Sequence, residues 1–464
     1  MKKSILYVLV VLAVLLSACK PAETAQPTAQ APKPTEAPQA TQAPKPTEAP
    51  QPTEAAQPTA VPAAEQVEIT FMAWGAPEEL AVWQQIADDF SAANPNIKAT
   101  MDVSDWDSYW TKLDTLFAGG TPPDVFAMDA PLYLDWQSKG VLLNLTPYID
   151  ATPGFLDGFY QEPLTGYKVG NDYYGLPRDF QTIVMFYNKD MLDAAGVAYP
   201  QQGWTYDDLR AMSKKLTKDT SGDGKTDQYG FSCDVYDMEL CWSEAIWSYG
   251  GEIISPDFTK TLIGEPKARQ AWQFFHDLMF TDKSMPDTIA AGEYGGDLFQ
   301  AGVVALYPMG HWGVPGYATV NFKWDVAPMP TGPGGQATSV NSAGFVAAKD
   351  SKHPKEAWEF IKFAMSQTGQ TRLTEMGLAI PMLKSVAESP VFLDAKVAGM
   401  TINQQVFLDS LKFARIKPIF KGYTLWADAV GGGMATIWEG SSELGPTLDQ
   451  AVIDADAVLA EEQK

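Results

Sequence analysis

VEITFMAW (Val67–Trp74), IKATMDV (Ile97–Val103) and DVFAM (Asp124–Met128) are three short apolar runs that read as strands. Between the first two, Leu80, Trp83, Ile86, Ala87 and Phe90 recur at helical spacing until Asn94 and Pro95 end the pattern. Between the second and third, Tyr109, Leu113, Leu116 and Phe117 mark the inward face of a helix that stops at Gly119 and Gly120. A β-α-β-α-β order needs crossover connections, so the strands should run parallel in a doubly wound sheet. Such sheets take ligands in the crevice outside the carboxyl ends of their strands. Trp74 and Asp129 stand at two of those ends and are candidate ligand contacts. The competing structural readings are a Trp74 that caps the core and an Asp129 that caps the following helix.

Downstream, a second series of elements follows. FQTIVMFYN (Phe180–Asn188) reads as a strand, Thr205–Leu216 as a helix, and Lys267–Met279 as a helix with Ala271, Trp272, Phe275 and Leu278 on one face. VVALY (Val303–Tyr307) is a strand leading into Met309, Gly310, His311 and Trp312. Gly344–Ala348 is a strand before a helix over Pro354–Met365. From Val67 onward the chain exceeds the usual size of one compact core, so two lobes are expected.

The other end of the chain sets an address. Lys2 and Lys3 precede an apolar run from Ile5 to Leu16, then Ser17, Ala18 and Cys19, the outline of a secretory signal. The run is short of the roughly 20 apolar residues a membrane span needs. The small residues before Cys19 resemble the lipobox of bacterial lipoproteins, which implies that Cys19 becomes the lipid-bearing N-terminus. Residues 20–65 hold no aromatic side chain, and APKPTEAPQ occurs twice, at Ala31–Gln39 and Ala43–Gln51. Such a segment reads as an extended polyproline-like tether, reaching on the order of 100 Å at roughly 3.1 Å per residue.

Charge and rare residues narrow the function. The net charge of -24 becomes -26 once Lys2 and Lys3 leave with the signal, which disfavours nucleic acid and anionic headgroups as partners and suits a neutral or cationic solute. Beyond Cys19 only Cys233 and Cys241 remain, and in an exported chain a short-loop disulfide is expected. His276, His311 and His353 lie too far apart for metal-ligand spacing and form no evident triad.

Several segments together resemble the extracellular solute-binding proteins of ABC importers, in the carbohydrate-binding branch that includes maltose-binding protein. They are Phe126–Asp129 after GGTPPDV, YGLP at Tyr174–Pro177, Trp204 opening a helix, SGDGKTDQYGF at Ser221–Phe231, MGHW at Met309–Trp312 and the Gly344–Ala348 strand. Their order and spacing carry the resemblance, which runs from Val67 to the end. It implies an α/β, two-lobed type II periplasmic-binding-protein fold, each lobe a doubly wound sheet with helices, joined by a multi-strand hinge. Lobe 1 would hold residues 67–177 and 343–380, and lobe 2 residues 178–342 and 381–464, after a signal over 1–18 and a tether over 19–66. The chain would cross near Leu176–Arg178, near Val340–Phe345 and near Leu378–Met382.

Sugars present apolar C–H faces ringed by hydroxyls, so a site needs flat aromatic platforms and planar polar groups with paired donors or acceptors. The resemblance places Trp312, Trp242, Trp247, Tyr423 and Trp426 in segments that supply such platforms, with ordinary packing as the competing reading. Trp272, Trp358 and Phe360 lie on amphipathic faces and are assigned to the core. Arg178 and Asp179, at the first crossing, could serve a ligand or form a hinge ion pair, and Glu244 is a further polar candidate.

Two features stay open. Asp219, Ser221, Asp223, the Lys225 carbonyl and Asp227 alternate as in an EF-hand loop with Gly224 at the turn, but Gly230 stands where the bidentate Glu belongs. A structural calcium and a bare Asp/Gly turn both fit, and no cofactor is otherwise required. A lipid-anchored glycoside hydrolase would need two placed carboxylates, which no motif marks, and a surface polysaccharide adhesin would need an open groove. The expected protein is a non-enzymatic, monomeric, lipid-anchored receptor on the outer face of the cytoplasmic membrane, which passes a carbohydrate to importer permease subunits.

Overall fold

In the computed structural model residues 66–462 are described, apart from 76, 376 and 378. The signal segment, Cys19 and the tether lie outside the described residues. The chain opens with β1 (Val67–Trp74), α1 (Pro77–Ala93), β2 (Ile97–Ser104), α2 (Trp106–Ala118) and β3 (Val125–Asp129). Then come β4 (Gly175–Pro177), β5 (Asp179–Thr182), β6 (Val184–Asn188), α3 (Tyr206–Leu216), β7 (Tyr229–Phe231), α4 (Ser243–Ser248) and α5 (Pro266–His276). The remainder supplies β8 (Val304–Met309), β9 (Trp324–Ala327), β10 (Thr338–Asn341), β11 (Ala343–Ala347), α6 (Pro354–Ala364) and α7 (Gln367–Glu375). It ends with β12 (Ile380–Pro381), β13 (Ala414–Ile416), α8 (Tyr423–Trp438) and α9 (Leu444–Glu462).

The first sheet has the order β2-β1-β3-β11-β4. Its β1 runs parallel to β2 with Val67 opposite Ile97 and Trp74 opposite Ser104, and parallel to β3, as crossover helices require. The return strand β11 enters antiparallel, Ala343 opposite Asp129. Helical spacing on α1 buries Trp83, Ile86, Ala87 and Phe90 completely, whereas Leu80 stays 41% exposed beside the cleft end of the sheet. Phe71 is the hub of this layer, with Trp83 and Phe345 rings at 5.5 Å and Phe360 at 5.0 Å, a placement that removes roughly 2–3 kcal/mol worth of apolar surface from water per ring.

A mixed second sheet, β9-β6-β8-β7, forms the other lobe, with β8 antiparallel to β6 and parallel to β7. Between the lobes lies a third sheet, β12-β5-β10-β13. The Phe180–Asn188 run is therefore two strands: Thr182 pairs with Val340 in the hinge sheet, and Val184 with Met309 in the second lobe. The chain crosses where β4 gives way to β5, where β10 gives way to β11, and at β12. Gln370 clamps the first and third crossings together, its Nε2 donating to the Arg178 carbonyl at 2.8 Å and its Oε1 accepting from Met382 N at 2.7 Å. Residues 384–393, expected with lobe 2, dock instead on lobe 1. Lys384 N donates to the Gly158 carbonyl and the Tyr160 hydroxyl donates to Glu388.

Candidate ligand cleft

A cleft of about 530 Å³ opens between the lobes, within the size range of small-molecule sites. Its first wall comes from the carboxyl ends of β1, β2 and β3: Trp74, Trp106 and Asp129. Its second wall carries Trp312, Asp237 and Glu239, and its floor is the hinge, with Arg178, Asp179, Asn341 and Lys417.

Each aromatic wall has a local cause. Trp74 is partly buried and edge-on to Trp106 and Tyr109 at 5.0 and 5.3 Å. Trp106 follows Asp105, whose carboxylate accepts from Ser108 N and caps α2, so the indole is carried at the first helical position and remains 44% exposed. Trp312 sits after β8 and folds back over Gly310: a Cβ there would lie 1.8 Å from the Trp312 ring. Glycine at 310 is thus what lets the indole lie against its own backbone.

On the floor, Arg178 Nε donates to Asp179 Oδ2 at 2.9 Å, and Asp179 Oδ1 accepts from Ala343 N at 3.2 Å. The hinge ion pair and the ligand candidate are the same residues. The Arg178 guanidinium lies 4.5 Å from the Trp83 ring and 5.2 Å from Trp74, and its Nη1 is buried with no hydrogen-bond partner among the described residues. Asp129 accepts from Asn341 Nδ2 at 3.1 Å, and burial holds its carboxyl above the usual range against the pull of Lys417. Tyr167 holds the strand that delivers Asp129, its hydroxyl donating toward the Met128 and Ser342 carbonyls at 2.8 and 3.0 Å. Lys417 Nζ meets Glu239 Oε2 at 2.6 Å. Burial pushes Glu239 up to about 7, while the surrounding carboxylates keep Lys417 protonated.

The second-wall carboxylates come from one stapled loop. Cys233 and Cys241 are disulfide-bonded with Cα atoms 5.2 Å apart, as expected, and the residues between them include Asp237 and Glu239. Asp237 Oδ1 accepts from Glu239 N and Leu240 N at 2.8 and 3.3 Å, which fixes the turn that aims Glu239 at the hinge.

Five expected contacts thus converge: Trp74, Asp129, Arg178, Asp179 and Trp312. The others do not. Trp242, 2% exposed, packs on Trp272 at 5.0 Å. Trp426 is fully buried and donates its Nε1–H to Thr261 Oγ1 at 2.9 Å. Tyr423 is buried and approaches the site only through Lys417, whose ammonium lies 5.6 Å from its ring. Trp247 lies under Arg415, 4.7 Å from ring to guanidinium, in a separate cavity of about 460 Å³ that shares only Lys417 with the cleft. Glu244 is buried behind β10, accepting from Ser339 N and Oγ. Trp426 is claimed by the apolar face of its helix, and Trp242 by its packing on Trp272.

The Asp219–Asp227 loop turns its carboxylates on its own backbone. Asp219 accepts from Gly222 N and Gly224 N, Asp227 from Thr220 N and Ser221 N, and Asp223 from Lys225 N. Among the described residues no group of three or more His, Cys, Asp or Glu side chains converges as a metal site.

Trp106, Asp237, Glu239, Asn341 and Lys417 escape the sequence reading. Trp106 was accessible to the same strand-end rule that found Trp74, since it follows β2 directly. The expected disulfide could have flagged Asp237 and Glu239. Nothing local marks Lys417, whose partner is far away in sequence.

Two α/β lobes on a stranded hinge, with indoles on both walls and polar groups on the floor, form the cleft of a two-lobed binding protein. The sequence pattern of the bacterial extracellular solute-binding proteins matches residues 74–371, and the chain belongs to that family. Its fold is that of the sugar-binding receptors of ABC importers. An ABC substrate-binding protein from Listeria monocytogenes in complex with cycloalternan superposes with a TM-score of 0.78 at 26% identity, covering 85% of this chain and 99% of that one. A galactooligosaccharide-binding protein of Bacillus subtilis is 25% identical over 353 residues, 72% of this chain and 76% of that one. An uncharacterized lipoprotein of Streptomyces antibioticus is 26% identical over 387 residues, 80% of this chain and 82% of that one.

Proposed function

We propose that the chain is a lipid-anchored extracytoplasmic receptor that captures a sugar or oligosaccharide between its lobes and delivers it to an ABC permease, catalysing no reaction. The observation that carries this reading is the cleft itself: Trp74 and Trp106 face Trp312 across a floor made of hinge strands. A sugar ring stacked on both walls is fully enclosed only when the hinge closes, so ligand selects the closed population in proportion to its preference for it. The cycloalternan complex and the galactooligosaccharide-binding relative support a carbohydrate as the solute. Lipid attachment at Cys19 and the tether over 19–66 rest on sequence, supported by the Streptomyces relative named a lipoprotein. The receptor acts as a monomer, since one chain supplies both walls.

A thermal-shift screen with mono- and oligosaccharides beside chromogenic glycosides tests the solute. A sugar at 100 times its Kd should add about 2.7 kcal/mol of stability without product release. Turnover of a glycoside would overturn the receptor reading. Cys19→Ser should move the protein from the membrane fraction to the soluble fraction, and a wild type already soluble would refute the anchor.

A further inference from the structure

The cleft is acidic beyond what its own ion pairs absorb. Two cations line it, Arg178 and Lys417, and each is already engaged, with Asp179 and Glu239 respectively. Asp129 and Asp237 remain inside, with Asp105 at the cleft as well. Asp129 makes no ion pair among the described residues, and its hydrogen-bond donor is the neutral amide of Asn341. Lys417 favours charge on both Asp129 and Glu239, but the carboxylates also sense one another: Asp237 and Asp179 disfavour charge on Asp129, and Asp129 disfavours charge on Glu239. A cleft destined for a neutral sugar gains nothing from that mutual repulsion, whereas a ligand cation relieves it. The walls suit a cation as well, because indole faces attract one, most strongly when it is desolvated.

A second, independent observation concerns the other half of the ligand. Arg178 is 4% exposed, yet its Nη1 finds no hydrogen-bond acceptor among the described residues while the residue borders the cleft. A buried guanidinium N–H left without a partner is costly, so the bound molecule should bring an oxygen to it. Ring hydroxyls are such oxygens.

We infer that the carbohydrate held in this cleft carries a protonated amino group, which sits against Asp129 and the Asp237 turn while a hydroxyl accepts from Arg178. The natural ligand class is then an amino-deoxy sugar or an oligosaccharide that contains one. This inference rests on the sugar-receptor reading above and makes it narrower. The disulfide across Cys233 and Cys241 gains a purpose in it, since it holds a charged loop in place against the repulsion of the opposite wall.

The test is calorimetric titration of the purified full chain with matched sets: 2-amino-2-deoxyglucose, -galactose and -mannose and their β-linked disaccharides, each beside its N-acetyl and its plain hydroxyl counterpart, with spermidine as a cation that is not a sugar. At least one amine should bind tenfold or more tighter than both of its counterparts. That preference should collapse in Asp129→Asn and weaken in 0.5 M salt, while Asp129→Asn retains the melting point of the empty protein. If the hydroxyl or N-acetyl member of every set binds as tightly as the amine, the amine inference falls and the sugar receptor stands. If spermidine binds and no sugar does, the sugar reading itself falls and this inference with it. Binding of no member of the panel also overturns it.

Discussion

The resemblance offers both Trp312 and Trp426 as platforms, with packing as the competing reading, and the fold treats them oppositely. Trp312 follows the end of β8, stands partly open and lines the solute space. Trp426 lies within α8, where Tyr423, Trp426, Val430, Met434 and Ile437 form one buried stripe at helical spacing, and it is fully enclosed. Trp242 repeats the second pattern ahead of α4. The difference is one of origin: a side chain at the carboxyl end of a strand has no next turn to pack on, whereas one on an apolar helix face is claimed by the core. Position relative to strand ends predicts recognition better than aromatic identity does.

The strongest way to break that contrast is to truncate both indoles. Trp426→Ala removes a core side chain and a buried hydrogen bond, and should cost about 3–5 kcal/mol of stability in denaturant melts. Trp312→Ala should leave those melts nearly unchanged and lower sugar affinity at least tenfold, about 1.4 kcal/mol. Equal losses of stability in the two variants would abolish the distinction.

The stapled loop sharpens the comparison from the other wall. Replacing both Cys233 and Cys241 with Ser frees a loop of nine residues, and chain-entropy arguments put the loss at up to about 2.6 kcal/mol. Because Asp237 and Glu239 ride on this loop, ligand affinity should fall along with the melting temperature. A variant that melts earlier but binds as before would show that the loop holds its carboxylates without the bridge.

Gly310→Ala probes Trp312 without touching the indole. The added methyl must displace the ring that lies over it, so affinity should drop by about tenfold, close to the Trp312→Ala value, in calorimetric titration. Unchanged affinity would mean that Trp312 can stack on ligand from another rotamer.

Much of the first lobe was legible because alternation of β and α periods dictates a parallel sheet, and parallel sheets dictate where ligands go. Trp74 and Asp129 followed from that rule alone, and the crossings at Arg178 and Ala343 from family order. Periodicity reports which face is apolar and never which partner covers it. Hence residues 384–393 were placed with the wrong lobe, and the Lys417–Glu239 pair, set by the meeting of a hinge strand with a distant loop, left no trace in either local pattern. Arg178 was legible as a polar group at a crossing, but its choice between ion pair and ligand was not: in the fold its Nε serves Asp179, and its Nη1 has no hydrogen-bond partner among the described residues.

The last expected effect concerns pH, and it contrasts the floor with what lies behind it. Glu244 is buried against β10, where Ser339 N and Oγ donate to it and Ser243 Oγ donates to its other oxygen; Tyr206 is the neighbouring titratable group and stays neutral. Burial pushes the Glu244 carboxyl up to about 8 from 4.5, so the folded protein keeps a proton that the unfolded chain has lost. Folding therefore binds the extra proton between those two values, and stability must fall as pH rises through that window, by no more than about 1.4 kcal/mol per pH unit for one group. Below it both states are protonated and the contribution is complete; above it the contribution is gone. Glu239, raised to about 7, adds to the same slope from the cleft side. Glu244→Gln keeps the acceptor for Ser339 and cannot titrate, so melts of the empty variant between pH 5 and 8 should lose the part of the slope due to Glu244 and retain the part due to Glu239. Because ligand seated beside Glu239 alters only that second part, added sugar should change the residual slope in Glu244→Gln, and a slope indifferent to sugar would place Glu239 outside the site.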